Sequence, residues 1–185
     1  MDTLIESIER SIAFVLSFSY SSYGMDYHVN VKIAEKTFEI MEKNTEAAYI
    51  SKFVCGEMHT KNYPKFSKLK NLYVYEEDCR HVSIPKAVGG FKKWKDENYP
   101  KINRIELVVA PPIREECEEE LEKVFSDSNI QIYPAEFLGI KKGFWFSNRS
   151  ALWCAKSEGR WEIREWWRKF LKPRLSERVY EKAFS

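Results

Sequence analysis

The stretch that most constrains the fold is RIELVVAPPIREECEEELEKVFSDSNIQIY, residues 104 to 133. Its first seven residues are rich in Ile, Leu and Val, which suit a strand, and Pro111 and Pro112 end the run. Ile113, Cys117, Leu121 and Phe125 then recur every four residues, the spacing of one helix face, before NIQIY resumes a strand. A strand–helix–strand unit of this kind pairs its strands in parallel through a right-handed crossover. The chain must therefore build a sheet with a helix lying over it.

Apolar spacing predicts the remaining elements. Thr3 and Glu6 read as a capping box for a first helix, with Ile5, Ile8, Ile12, Val15 and Leu16 on one face. SYSSYGMDYH is a loop by its Ser, Tyr and Gly content. A second helix is expected from about Val31 to Lys43, and a third from its cap at Thr45 to about Cys55, stopped by Gly56. NLYVY and RHVSI alternate as strands around a turn at EEDC, while GFWFS and ALWCA read as a second hairpin. After Pro85, Val88, Phe91 and Trp94 share a face. The expected fold is a single α+β domain with a mixed sheet, a helical part over 1–56, a sheet-forming part over 70–156 and C-terminal helices over 157–185.

Composition narrows the setting. With 44% hydrophobic residues among 185, the chain has ample core material, which excludes disorder. MDTLIESIERSIAFVLSFSY carries acids where a signal peptide is basic, and Glu6, Glu9 and Arg10 interrupt any membrane span. A cytoplasmic protein with no membrane partner is expected, its four irregularly spaced cysteines reduced. Gln131 is the single glutamine amid many Lys and Glu, a bias that suits a thermophile. The net charge of +2 hides an uneven distribution. Residues 113–127 hold seven acidic and two basic side chains; 61–104 hold eleven basic and five acidic, and 141–182 hold twelve basic and five acidic. The acidic helix either neutralises a basic segment or leaves both basic segments to share a face.

Three chemistries have candidate residues. Cys55 with His59, four apart, and Cys79 with His81, two apart, supply the donor types of a tetrahedral zinc site, although their spacing matches no zinc pattern. The order of helix, hairpin, strand, helix and strand resembles that of restriction-endonuclease-like folds. The resemblance implies a metal-dependent nuclease with Asp78 and Glu106 holding a magnesium-type cation. Leu107 and Val108 stand where such a centre would carry its lysine, which counts against activity. The reading favoured by composition is non-catalytic nucleic-acid binding, within a larger assembly. Lys65, Lys68, Lys70, Lys92, Lys93, Lys141, Lys142 and Arg149 lie among aromatic residues, lysines attracting phosphate and exposed rings stacking on bases. A third reading is a subunit that meets a protein partner or a second copy through its aromatics. Gly89 and Gly90, beside Lys92 and Lys93, are a weak phosphate-loop signal, better read as a loop or helix break.

EGRWEIREWWRKFLKPR, residues 158–174, bears on the choice. Ile163, Trp166, Trp167, Phe170 and Leu171 fall on one stripe, expected to anchor the helix on the sheet. Arg164, Glu165, Arg168, Lys169 and Lys172 form the opposite face, expected in solvent. Trp161 falls on that polar side and, with Arg164 and Arg168, joins the candidate binding surface. A helix from about Leu175 to Ala183 follows the break at Pro173.

Overall fold

The computed structural model describes residues 10–18, 28–43, 45–60, 71–76, 83–126, 128–150, 152 and 154–170, without the side chains of His59 and Thr60. Strand β1, Ser11–Val15, is buried along its whole length. Such a strand, covered on both faces, is a continuous apolar run. Read by spacing alone, that run passes for a helical stripe. Ile12, Val15 and Leu16, expected on an N-terminal helix, are therefore the central strand and its exit.

Helix α1, His28–Met41, buries Val29, Ile33, Ala34, Thr37 and Met41, and Thr37 Oγ1 donates to the Ile33 carbonyl at 2.8 Å. Strand β2, Thr45–Ser51, replaces most of the expected third helix. Ala47, Ala48, Tyr49 and Ile50 are buried between two layers, and Thr45 ties back to the Ile40 carbonyl instead of capping a helix. Helix α2, Lys52–Thr60, begins where β2 ends and runs through Gly56. Then come β3, Leu72–Tyr75; α3, Ile84–Asn98; β4, Arg104–Val108; α4, Pro111–Val124; and β5, Gln131–Pro134. Two 3-10 turns, Lys142–Trp145 and Cys154–Lys156, lead to α5, Glu158–Phe170.

The strands form one sheet in the order β3-β2-β1-β4-β5, every pair parallel. The expected mixture of helices and strands is present, and the 104–133 unit is a parallel strand–helix–strand. The sheet is parallel throughout instead of mixed because neither expected hairpin appears among the described residues. β3 pairs with β2, Ile84 opens α3 ahead of Pro85, and Lys142–Trp145 and Cys154–Lys156 form 3-10 turns where the second hairpin was expected. Short alternating runs specify a strand without specifying its partner.

Parallel neighbours need crossover connections. The chain moves outward from β1 to β3, then restarts beside β1 and moves outward the other way, from β4 to β5. Right-handed crossovers in opposite directions put α1 and α2 on one face, α3 and α4 on the other; α1 packs on α2 and α3 on α4. On the second face Phe14 stacks on Phe91 at 4.6 Å, and Tyr49 meets Phe91 and Trp94. Gly90 belongs to this packing: a Cβ there would lie 2.5 Å from the Tyr49 hydroxyl. Gly89 and Gly90 thus sit inside α3, and the second lets a tyrosine approach the helix.

Candidate functional site at the carboxyl edge of the sheet

Connections diverge between β1 and β4, and open parallel sheets take ligands in the crevice beyond the carboxyl ends at such a point. From β1 the chain exits through Leu16, Ser17 and Phe18, all buried. Leu16 N–H donates to the Val108 carbonyl at 3.3 Å, holding the two strand ends together. Phe18 N–H donates to Asn30 Oδ1 at 3.3 Å, which ties the first turn of α1 to the end of β1. His28, at the start of α1, has Nε2 2.7 Å from the Phe144 carbonyl and its ring edge-on to the Phe144 ring at 4.8 Å. A carbonyl only accepts, so Nε2 carries the proton.

The far wall is aromatic. Phe18 meets Trp161 at 5.2 Å and Phe146 at 6.0 Å, and Phe146 meets Trp161 at 6.3 Å. From β4 the chain exits through Val109 and Ala110 into Pro111 and Pro112, the first residues of α4. Those prolines have no N–H, and Ile113 N–H donates to the Ala110 carbonyl, so α4 presents few donors to the crevice. Helix α1 starts without proline, and the positive end of its dipole faces the β1 exit. The arrangement suits a ligand with a polar or anionic group near α1 and a planar part against the rings.

An opening lies at the opposite, amino edge. It is a cleft of about 1000 Å³ bounded by Arg10, Glu46, the 98–104 connection and residues 128–131. Its two arginines are engaged, Arg10 with Glu46 at 3.4 Å and Arg104 with Glu106 at 2.8 Å while stacking on Tyr133, and Lys101 is exposed beside them. We place the site at the carboxyl edge because chain divergence there brings together the exits of β1 and β4 and the amino end of α1.

No family model, curated protein or solved structure matches this chain.

The residues singled out from sequence scatter. Glu106 lies on β4, paired with Arg104 and opposite Ala13 and Tyr133 in register, away from both strand ends. Asp78, Cys79, His81, Lys65, Lys68 and Lys70 lie outside the described residues, as does the side chain of His59. Cys55 is buried in α2, and burial pushes its thiol up, away from the thiolate a metal needs. Among the described residues, no three His, Cys, Asp or Glu side chains are placed to hold a metal ion. No helix there is long and apolar enough to cross a membrane.

Of the basic set, Lys93, Lys141 and Arg149 are exposed. Lys92 pairs with Asp96 at 2.6 Å, and Lys142 with Glu158 at 2.5 Å. The C-terminal helix reverses its expected orientation. Trp161, Arg164 and Arg168 face inward, whereas Ile163, Trp166 and Phe170 face out. Arg164 reaches Glu116 at 2.6 Å, and Arg168 reaches Glu119 at 2.9 Å and Glu115 at 3.4 Å. The acidic face of α4 neutralises the basic face of α5, and this outweighs the apolar stripe in setting the helix's rotation. Three side chains expected on a nucleic-acid surface are thereby committed to the interior.

Sequence reasoning missed Ser17, His28 and Asn30. Ser17 followed the last residue named on the expected first helix, His28 closed the expected loop, and Asn30 lay between that loop and the second helix; the available signal was an apolar run ending in a Ser- and Tyr-rich turn before a helix, which is also a strand–loop–helix.

Proposed function

We propose that the protein binds a small polar or anionic ligand in the crevice between β1 and β4. The reversal in the direction of the connections at that point carries the reading, since open parallel sheets take ligands where their connections diverge. Fold supplies the location and not the chemistry. The chemistry is supported by the α1 amino end, the His28 imidazole, the Asn30 amide and the ring of aromatics beside them. The test is a titration of 15N-labelled protein with inorganic phosphate and with mononucleotides. Amide shifts at Phe18, His28, Asn30 and Ala110 are expected. Shifts confined to Lys101–Arg104 and Ser128–Gln131 would move the site to the amino edge and overturn the proposal.

Nucleic-acid binding is the second reading, supported by the exposed Lys93, Lys141 and Arg149. Three phosphate contacts give a slope of about −3 in log affinity against log salt. A slope near zero removes this reading.

A further inference from the structure

The carboxyl edge of β1 is covered. Ser17, Phe18 and Asn30 are 0%, 1% and 1% exposed, so nothing from solvent reaches the β1 exit while the chain keeps this arrangement. Part of the cover is the C-terminal unit, residues 142–150 and 154–170. Its Trp161 and Phe146 lie on Phe18 at 5.2 and 6.0 Å, and its Phe144 carbonyl accepts from Nε2 of His28. A ligand bound between β1 and β4 therefore needs this roof moved.

The roof is built to move as one piece. Ser147 N–H donates to the Ala155 carbonyl at 3.1 Å and Trp161 N–H to the Ser157 carbonyl at 3.1 Å, so these backbone bonds close within the unit and do not extend the sheet. Lys142 bridges to Glu158 and Glu162 at 2.5 and 3.6 Å, tying the first 3-10 turn to α5. The chain enters the roof through Leu138–Lys141, where Leu138 is 87% exposed and Gly139 takes a φ of 76°, a left-handed conformation that glycine adopts freely. Charge holds the outer edge down. Arg168 meets Glu119 and Glu115 at 2.9 and 3.4 Å, and Lys169 meets Glu115 at 3.2 Å. Both carboxylates are largely in solvent, so these pairs are weak latches. Behind them lies the buried Arg164–Glu116 pair. Lifting the roof returns both of its charges to water, which offsets the loss of their pairing. A unit with no strand in the sheet opens at less cost than the sheet itself.

We propose that residues 142–150 and 154–170 form a latched roof that lifts as a unit about Leu138–Lys141 and so admits ligand to the crevice. Its purpose rests on the ligand reading above; its movement is tested apart from that reading. Native-state hydrogen exchange on the full chain, at low urea, reads the movement. The amides of Phe18, Ser147 and Trp161 are expected to exchange through one shared opening, faster than those of β1 and β4. Exchange of all of them at the rate of the sheet overturns the proposal. Arg168→Ala loosens the latch and raises that opening about tenfold, the scale of two partly exposed ion pairs. A ligand that binds only the open form has an apparent affinity proportional to the open fraction. The same variant therefore binds a mononucleotide about tenfold more tightly, although it has lost a positive charge. Unchanged or weaker binding, with the Phe18 amide still shifted by the mononucleotide, means that ligand enters beneath a closed roof, and overturns the proposal. A shared opening in a protein that binds neither phosphate nor mononucleotide supports the roof and refutes the ligand reading alone.

Discussion

Replacing Arg164 by Ala removes the cation that joins α5 to α4. Its guanidinium lies 2.6 Å from Glu116, pairs with Glu165, and sits 4.6 Å over the Trp161 ring. Burial opposes its charge, but Glu116 and Glu165 hold its pKa above the usual arginine value. The side chains of Arg164 and Glu116 are only 14% and 7% exposed, so the deletion strands a carboxylate in the interior. Breaking a buried pair from one side costs about 3–5 kcal/mol. A solvated arginine, as the helical arithmetic implied, would cost no more than about 0.5 kcal/mol. In urea, a loss of about 4 kcal/mol at a slope of about 2 kcal/mol per molar lowers the midpoint by about 2 M. The companion variant, Arg164→Met with Glu116→Leu, replaces the pair by apolar groups and recovers most of that stability. A single-variant cost below about 1 kcal/mol, the range of an exposed pair, would refute the buried clamp. So would a double variant as unstable as the single.

Trp161→Ala should cost about 3–5 kcal/mol in the same assay, because the ring packs on Phe18 and Phe146; an effect under about 1 kcal/mol would return Trp161 to the surface. Gly90→Ala and Gly89→Ala should diverge. The first forces the Tyr49 hydroxyl to move and costs about 1–3 kcal/mol. The second meets nothing within 4 Å and gains about 0.5–1 kcal/mol from helix propensity; equal thermal shifts would contradict the packing at Gly90. Burial, with Tyr73 adding to it, pushes the Tyr49 phenol up to about 12. Unfolded tyrosine titrates near about 10, so between these values the folded chain holds a proton that the unfolded chain has lost. Stability should fall as pH rises through that window, by about 1.4 kcal/mol per unit from this group. Urea midpoints of the parent and Tyr49→Phe, measured from pH 9 upward, check this: the parent should lose the larger share.

Elements whose boundaries are chemical were legible in the chain. Pro111, Pro112 and the four-residue spacing from Ile113 to Phe125 specify β4, α4 and β5, and Pro85 marks the start of α3. The segment 11–15 was misread because a strand buried on both faces has no polar beat and a solid apolar run fits a helical stripe as well as a strand; 45–51 was misread because Thr45 resembles a helix cap and Glu46, Ala47 and Ala48 are good helix formers. The carboxyl-edge crevice was illegible for another reason: it exists only through the order of strands, and Ser17, His28 and Asn30 acquire a shared location only when β1 lies beside β4.

The chain alone determined that α5 is a two-faced helix, with Ile163, Trp166 and Phe170 on one side and Arg164 and Arg168 on the other. It also determined that 115–122 is an acidic helix. Which face turns inward was decided only by the tertiary structure. Hydrophobic spacing favours burying the apolar stripe, whereas a neighbouring helix lined with Glu115, Glu116 and Glu119 favours burying the arginines. Local periodicity records the faces of a helix; its rotation follows from what packs beside it, and here that neighbour is acidic.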